Sequence, residues 1–335
     1  MKAIIPAAGI GTRLRPHTYT APKVLLSVAG KPILGHIIDE LVRIGIDEMS
    51  FIIGYMGGMV RDYVRGSYSF KANFIDQAEM LGLGHAVSLG KPYHYADEPV
   101  LIILGDTIFG ADLESVFARG NSSIGVKGVE DARRFGIVEL DANGNVTRMI
   151  EKPEQPPTNL AIVGLYYITH PKLLFDCLDD NISNKRKTKG EYQLTDALQL
   201  MLDRGERMTT FMIDGWYDCG KAETMLLTNR EVLDMKDGAA GGGEARLAAR
   251  YPGSVIRMPV AIHESAKIER SLVGPHVSIG AKSSIHSSIV RESIIGDHSD
   301  VSNAVLEESI IGNHVKVRGH MARLNVGDMC EVVLE

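Results

Sequence analysis

"KAIIPAAGIGTRLRPHTYTAPKVLLSVAGKPI", residues 2–33, begins as an apolar strand candidate, Lys2–Pro6, and turns at once into a segment with glycines at 9, 11 and 30, arginines at 13 and 15 and a Pro22-Lys23 pair. An apolar strand that opens into a glycine-rich loop, followed by helical spacing over 32–44, is the start of a strand–loop–helix unit. Backbone N–H groups freed of side chains can close on an anion, Arg supplies a planar fork and Lys a compact charge. The segment therefore reads as a polyphosphate site. Glycine also serves ordinary turns, so Gly-x-Gly by itself leaves both readings open. No Gly-Lys-[Ser/Thr] closes the loop as in a Walker motif, and the third glycine of a dinucleotide fingerprint is missing.

Outward from this stretch, short apolar runs alternate with helix-patterned segments. "KAIIP", "MSFIIG", "ANFID" and "VLIILGD" read as strands, and residues 32–44, 59–65, 84–89 and 113–118 as helices. Strand–helix alternation predicts a doubly wound, mostly parallel α/β sheet whose ligands sit at the carboxyl ends of the strands. The pattern changes near residue 236. "KDGAAGGGEARLAAR" is rich in Gly and Ala and is expected to be a linker, 236–252. Beyond it Ile262, Ile268, Val273, Ile279, Ile285, Val290, Ile295, Val301, Leu306, Ile311 and Val317 recur every five or six residues, and "SLVG" at Ser271 is echoed by "SIIG" at Ser293 and Ser309. Hexapeptide periodicity predicts a left-handed parallel β-helix, with a β-sandwich as the alternative. The expected domains are thus 1–235, an α/β domain, and 253–335, a β-helix with room for roughly four coils of about eighteen residues. Its flat faces would invite pairing into a homo-oligomer.

Composition sets limits on partners. The 335 residues, 44% hydrophobic and 23% charged, suffice for two domains with sizeable cores. A net charge of −6 offers no general attraction to nucleic acid or an anionic membrane, so an anion site must be a local cluster of cations. Cys177, Cys219 and Cys330 are odd in number and far apart, which fits neither a disulfide framework nor a zinc motif and points to a reducing cytoplasm. No apolar stretch approaches the length of a membrane span, and the start lacks a signal-like apolar region, so a soluble cytoplasmic protein is expected.

The opening segment resembles the signature of the sugar-1-phosphate nucleotidylyltransferases, G-x-G-T-R followed by P-K. The resemblance continues through "DQAEMLGLGHAV", "LIILGDT", "FGIVELD", "IEKP", "AIVGLYY", "EYQLTDAL" and "GWYDCGKAETM". With a solenoid behind the catalytic part, it is greatest to the long glucose-1-phosphate thymidylyltransferase form. It implies condensation of a nucleoside triphosphate, dTTP or alternatively UTP, with a sugar 1-phosphate, glucose 1-phosphate first, releasing pyrophosphate. Such a reaction needs positioning and neutralised charge. Asp106 ends "LIILGD" and Asp218 lies in "GWYDCG"; either alone could be a turn residue, but both match the family's Mg²⁺ positions, and Mg²⁺ commonly takes one or two carboxylates plus substrate phosphates.

By the same resemblance Arg13, Lys23 and Lys152 are catalytic. Ala8, Gly9, Gly11, Thr12, Arg13, Gln77, Gly82 and Asp106 face the nucleotide, Gln77 and Gly82 its base. Gly136, Glu151, Lys152, Ile162, Tyr166 and Glu191 face the sugar phosphate. "EKP" could equally be a charged strand end, and Tyr166 a core aromatic. "EYQLTDAL" reads independently as a capped helix with Thr195 at the N-cap, and His85 as a surface or packing residue. His263, His276, His286, His298, His314 and His320 dot the solenoid, as acyl-transfer bases or as solvated corners. Val24 departs from the glutamine that follows the Pro-Lys lysine in short thymidylyltransferases. Two further readings stand beside the transferase: a bifunctional enzyme whose solenoid is an acyltransferase, and a non-catalytic regulatory relative of the family.

Overall fold

The four apolar runs become four adjacent parallel strands. In a computed structural model, which describes residues 1–237, 243–319, 321–322 and 324–333, Val100–Ile103, Lys2–Pro6, Glu48–Ile53 and Lys71–Asp76 lie side by side in that order. Every residue of Glu48–Ile53 is buried, as expected of a parallel strand that faces protein on both sides. The helices Ile33–Arg43, Gly57–Ser67, Leu83–Ser88 and Leu113–Ala118 fall where the periodicity places them. The last starts at Asp112, whose carboxylate accepts the Ser115 N–H at 3.1 Å and so satisfies one of the donors that a helix start leaves open.

The other half of the sheet is mostly antiparallel. Leu160–Ile168 runs against Val100–Ile103, pairing Leu165 with Ile103 and Ile168 with Val100. Ser122–Gly128 and Gly136–Leu140 are antiparallel to Leu160–Ile168, Val146–Glu151 is antiparallel to Gly136–Leu140, and Met208–Met212 lies parallel to Ser122–Gly128. The result is a mixed nine-stranded sheet. Its core includes Ile4, Ile52, Val87, Ile102, Ile124, Val138, Phe175 and Leu198.

Contacts divide the chain into two compact units: Met1–Ile10 with Ile37–Trp216, and Gly11–His36 with Tyr217–Glu335. Most of the glycine-rich segment thus groups with the C-terminal part of the chain. The stretch 236–252, expected as a linker, is helical over Gly243–Arg250, after a helix Ala222–Asp237; residues 238–242 lie outside the described residues.

The C-terminal part is a left-handed parallel β-helix. Three sheets of five short strands each run along it, which makes five coils among the described residues where a coil of about eighteen residues leaves room for roughly four. Val255 pairs with Leu272, Leu272 with Ile289, Ile289 with Val305 and Val305 with Met321. On this face each coil steps by sixteen or seventeen residues, and on the other two the last step is fifteen, shorter than expected. The repeating aliphatics form three stacked columns: Val273, Val290 and Leu306; Ile262, Ile279, Ile295 and Ile311; and Ile268, Ile285, Val301 and Val317. Serines stitch the coils at the corners. The Ser288 N–H donates to Ser271 Oγ and the Ala304 N–H to Ser288 Oγ, both at 3.1 Å; Ser283 and Ser299 do the same for Ser299 and Val315. His276, His298 and His314 occupy left-handed corner positions, and the His298 and His314 rings stack at 4.7 Å. His320 lies outside the described residues. Cys177, Cys219 and Cys330 are not joined in disulfides, and no described helix is long and apolar enough to cross a membrane.

Candidate active site

The glycine-rich segment folds as three successive tight turns, Thr12–Leu14, His17–Tyr19 and Lys23–Leu25. Gly11 has φ +69°, and a Cβ there would stand 2.9 Å from Lys23 Cβ. Backbone conformation and close approach both demand glycine. Its carbonyl accepts the Leu14 N–H and the Thr18 hydroxyl, each at 2.9 Å, which ties the turn bearing Thr12 and Arg13 to the next. Arg13 is exposed, and Val24 is buried. Gly9 differs from Gly11: a Cβ on it would meet nothing within 4 Å, so packing within the molecule does not call for glycine there. Ala8, just before it, lies against Gly54, with Ala8 O 2.9 Å from where a Cβ on Gly54 would be.

In the α/β unit, Gln77, Gly82 and Glu191 come together. The Ile53 carbonyl accepts the Gln77 N–H at 2.7 Å. The Gln77 side-chain Nε2 bonds Gly82 O at 3.3 Å and His85 Nδ1 at 3.1 Å. Gly82 has φ +111°, and a Cβ on it would stand 2.6 Å from Tyr192 O and 2.8 Å from Glu191 Cβ. The "EYQL" segment is clasped to the "LGLG" loop by Tyr192 N–H to Leu81 O and Gly84 N–H to Tyr192 O, both 2.8 Å. Glu191, expected among the sugar ligands, therefore lies beside Gly82. His85, expected as a packing residue, fixes the Gln77 amide.

A second cluster joins Gly136, Glu151, Ile162 and Thr195. A Cβ on Gly136 would lie 3.0 Å from Glu151 Oε2 and from Thr195 Oγ1, and 3.2 Å from Ile162 Cδ1. The Thr195 hydroxyl donates to Glu151 Oε2 at 2.7 Å, and the Lys152 ammonium stands 3.2 Å from Glu151 Oε1. Thr195 is thus not the N-cap. The helix Leu194–Asp203 begins after Gln193, earlier than the polar pattern suggests, which leaves the hydroxyl inside the first turn and aimed at Glu151. Lys152, half exposed, has φ +43° immediately before Pro153, a conformation costly for a side-chain-bearing residue and typical of functional sites. Its N–H holds Phe135 O at 3.0 Å. Tyr166 is buried in the core, where burial, and next the Glu151 charge, push its phenol above the ordinary range.

Two carboxylates complete the candidate residues. Asp106 precedes the strand Thr107–Gly110, next to Gly105, whose N–H donates to Pro6 O at 3.0 Å; the end of the first strand thereby fixes the position of Asp106. Asp218 ends the strand Gly215–Asp218. A Cβ on Gly220 would lie 2.9 and 3.1 Å from the two Asp218 oxygens, so any side chain there would crowd that carboxylate. Among the described residues no cluster of three or more His, Cys, Asp or Glu surrounds a common point. Each carboxylate is a hard oxygen donor of the kind that Mg²⁺ takes beside phosphates and water.

Residues 2–235 match the family model of nucleotidyl transferases. Among curated relatives, the low-salt glycan biosynthesis nucleotidyltransferase Agl11 of Haloferax volcanii is 34% identical over 317 residues, covering 88% of this chain and 87% of its own. The glucose-1-phosphate thymidylyltransferase of Streptomyces antibioticus is 33% identical over 316 residues, with the same two shares. The crystal structure of UDP-glucose pyrophosphorylase complexed with UDP-glucose superposes with a TM-score of 0.62 at 27% identity, over 70% of this chain and 98% of that one. A family match across the α/β part, and relatives alike well past residue 235, establish that this chain belongs to the sugar-1-phosphate nucleotidyltransferases.

Proposed function

We propose that the protein transfers the nucleotidyl group of dTTP to glucose 1-phosphate in a Mg²⁺-dependent reaction, giving dTDP-glucose and pyrophosphate. A sugar-phosphate oxygen attacks the α-phosphorus in line; that P–O bond forms as the bond to the bridging oxygen of the leaving pyrophosphate breaks. The observation that carries the base assignment is the Gln77 cluster. Both Nε2 hydrogens are taken up by Gly82 O and His85 Nδ1, so the amide offers a ligand its oxygen. An acceptor matches the N3–H of thymine or uracil and opposes the bare N3 of cytosine.

Arg13 and Lys23 grip the triphosphate, with the open backbone at Gly9 and the turn at Gly11 and Thr12 around it, while Ala8 lines the same approach. Glu151, oriented by Thr195, accepts sugar hydroxyls, Lys152 holds the sugar phosphate, and Gly136, Ile162 and Tyr166 shape the pocket around them. Asp106 and Asp218 are the carboxylates that would hold Mg²⁺, which when bound neutralises charge on the phosphates. Assembly into a homo-oligomer through the β-helix belongs to the same proposal and is read directly as mass in solution.

UTP is the second reading. Val24 places an apolar side chain where short thymidylyltransferases carry an amide, and the superposed pyrophosphorylase holds UDP-glucose. A methyl in an apolar pocket discriminates by only about 1–3 kcal/mol, so dTTP should lead UTP by on the order of ten- to two-hundredfold. Measuring kcat/KM for dTTP, UTP, CTP, ATP and GTP with glucose 1-phosphate tests this. A purine or CTP preference sinks the Gln77 assignment, and a UTP lead replaces the first reading by the second.

A further inference from the structure

The unit that contains the β-helix also contains residues 11–36 of the signature segment, and an Asx ladder leads from one to the other. On one corner of the β-helix, the Ala281 N–H donates to Asp297 Oδ1, the Asp297 N–H to Asn313 Oδ1 and the Asn313 N–H to Asp328 Oδ1, each at 2.7 Å. Every rung closes over a glycine of the preceding coil. A Cβ on Gly280, Gly296 or Gly312 would stand 2.3, 2.5 or 2.6 Å from the Oδ1 of the following Asp or Asn.

At the last coil the equivalent glycine is Gly327, and what covers it is Pro16: a Cβ on Gly327 would lie 2.9 Å from Pro16 Cβ. The second oxygen of Asp328 accepts the Thr20 hydroxyl, and the His17 ring bonds the Asn325 side chain. Residues 16–20 thus stand where a sixth coil would stack, which is the place of a cap in a repeat protein. The segment is held again further on. Asn229 Oδ1 accepts the Ala29 N–H at 2.9 Å and the Ser278 hydroxyl at 2.6 Å, while its Nδ2 donates to His276 O at 2.9 Å.

We propose that the β-helix is the template that sets the phosphate-gripping loop, with Asn325, Gly327 and Asp328 of its last coil as positioning residues for Arg13 and Lys23. The proposal rests on the phosphate role given above to Arg13 and Lys23. The relay is short. Thr18, between the two capped residues His17 and Thr20, bonds Gly11 O, and the Gly11 turn carries Arg13 and packs on Lys23. A loop released from the last coil keeps its residues but loses their alignment, which penalises the triphosphate and not the sugar phosphate.

The test uses the full chain, with Asp328→Ala on the solenoid side and Thr20→Val on the loop side, so that one variant stays informative if the other fails to fold. Each single variant should lower kcat/KM for the triphosphate about tenfold, the double variant should lose no more than the worse single one, and the KM for sugar phosphate should stay unchanged. Hydrogen exchange should rise in residues 12–25. Wild-type kinetics with unchanged exchange, additive losses in the double variant, or equal KM increases for both substrates would overturn the proposal. Arg13→Ala separates the two claims: retained triphosphate turnover in that variant removes the phosphate role, whereas loss there with unaffected coil variants removes only the positioning role.

Discussion

In the β-helix each coil solves its problems much as the previous one did: an aliphatic residue under its counterpart, a serine hydroxyl for the next coil's N–H, a left-handed residue at most corners. The α/β unit contains no such repetition, and its candidate chemistry gathers where the backbone departs from ordinary geometry, at Gly82 with φ +111° and Lys152 with φ +43°. Regular stacking makes a stiff frame in which one position resembles another. A binding site needs positions that differ. The place where the solenoid's regularity stops, its last coil, is also where it meets the signature loop.

The two kinds of position should separate most widely at the carboxylates. Asp106→Asn or Asp218→Asn should each remove several kcal/mol of transition-state stabilisation, about a thousandfold in turnover, and chelation of Mg²⁺ should do the same reversibly. Ser299→Ala, which deletes a solenoid serine bonded to Gly312 O at 2.8 Å, should cost about 1–2 kcal/mol of stability and leave kcat untouched. Full turnover in either Asn variant would refute the metal assignment.

Glycine substitutions probe the same difference on a smaller scale. Gly82→Ala and Gly280→Ala both force a Cβ into occupied space, 2.6 Å from Tyr192 O and 2.3 Å from Asp297 Oδ1 respectively. Each should destabilise by about 1–3 kcal/mol. Only Gly82→Ala should also raise the KM for the nucleotide; a matching rise in Gly280→Ala would mean that the two regions are not functionally distinct.

Lys152→Ala is expected to raise the KM for the sugar phosphate by about ten- to a hundredfold, from the roughly 1.5–3 kcal/mol of a charged hydrogen bond, with little effect on the triphosphate KM. An equal rise for both substrates would indicate distortion of the strained turn rather than loss of a contact.

A comparable effect on stability alone concerns pH. His94, buried with Nε2 2.8 Å from Ser50 Oγ, has its pKa lowered to about 4 by burial and, secondarily, by Lys2. The unfolded chain therefore takes up a proton near the ordinary histidine value while the folded chain does not. Stability is present at neutral pH and lost as pH falls from about 6.5 toward 4, on the order of 2 kcal/mol between pH 7 and 5. Urea midpoints at the two pH values check this, and His94→Gln should flatten the slope. A slope unchanged in that variant would place the acid sensitivity elsewhere.

The parallel strands and the helices between them are legible in the sequence because continuous apolar runs and helical spacing are local signals. Ser122–Gly128, "SSIGVKG", carries no such signal; it is a strand because Leu160–Ile168 and Met208–Met212 flank it. The fifth coil escapes the spacing argument for a different reason: coils that step by fifteen to seventeen residues, rather than about eighteen, fit one more turn into the same segment. In the candidate site the signature identifies the motif residues, but local pattern assigns Thr195 to a cap and His85 to packing. Their partners, Glu151 and Gln77, are chosen by how the strands and loops are brought together.

The two architectures, the family and the residue types available to the chemistry follow from the order of residues alone, because periodicity, glycine placement and motif spacing are properties of near neighbours in the chain. That Glu191 lies beside Gly82, that Thr195 orients Glu151 and that Thr20 meets Asp328 follow from the folded molecule and from nothing less. Thr20 and Asp328 are 308 residues apart. A hydrogen bond between groups so distant leaves no trace in local pattern, since its partner is selected by the packing that brings the two segments within reach.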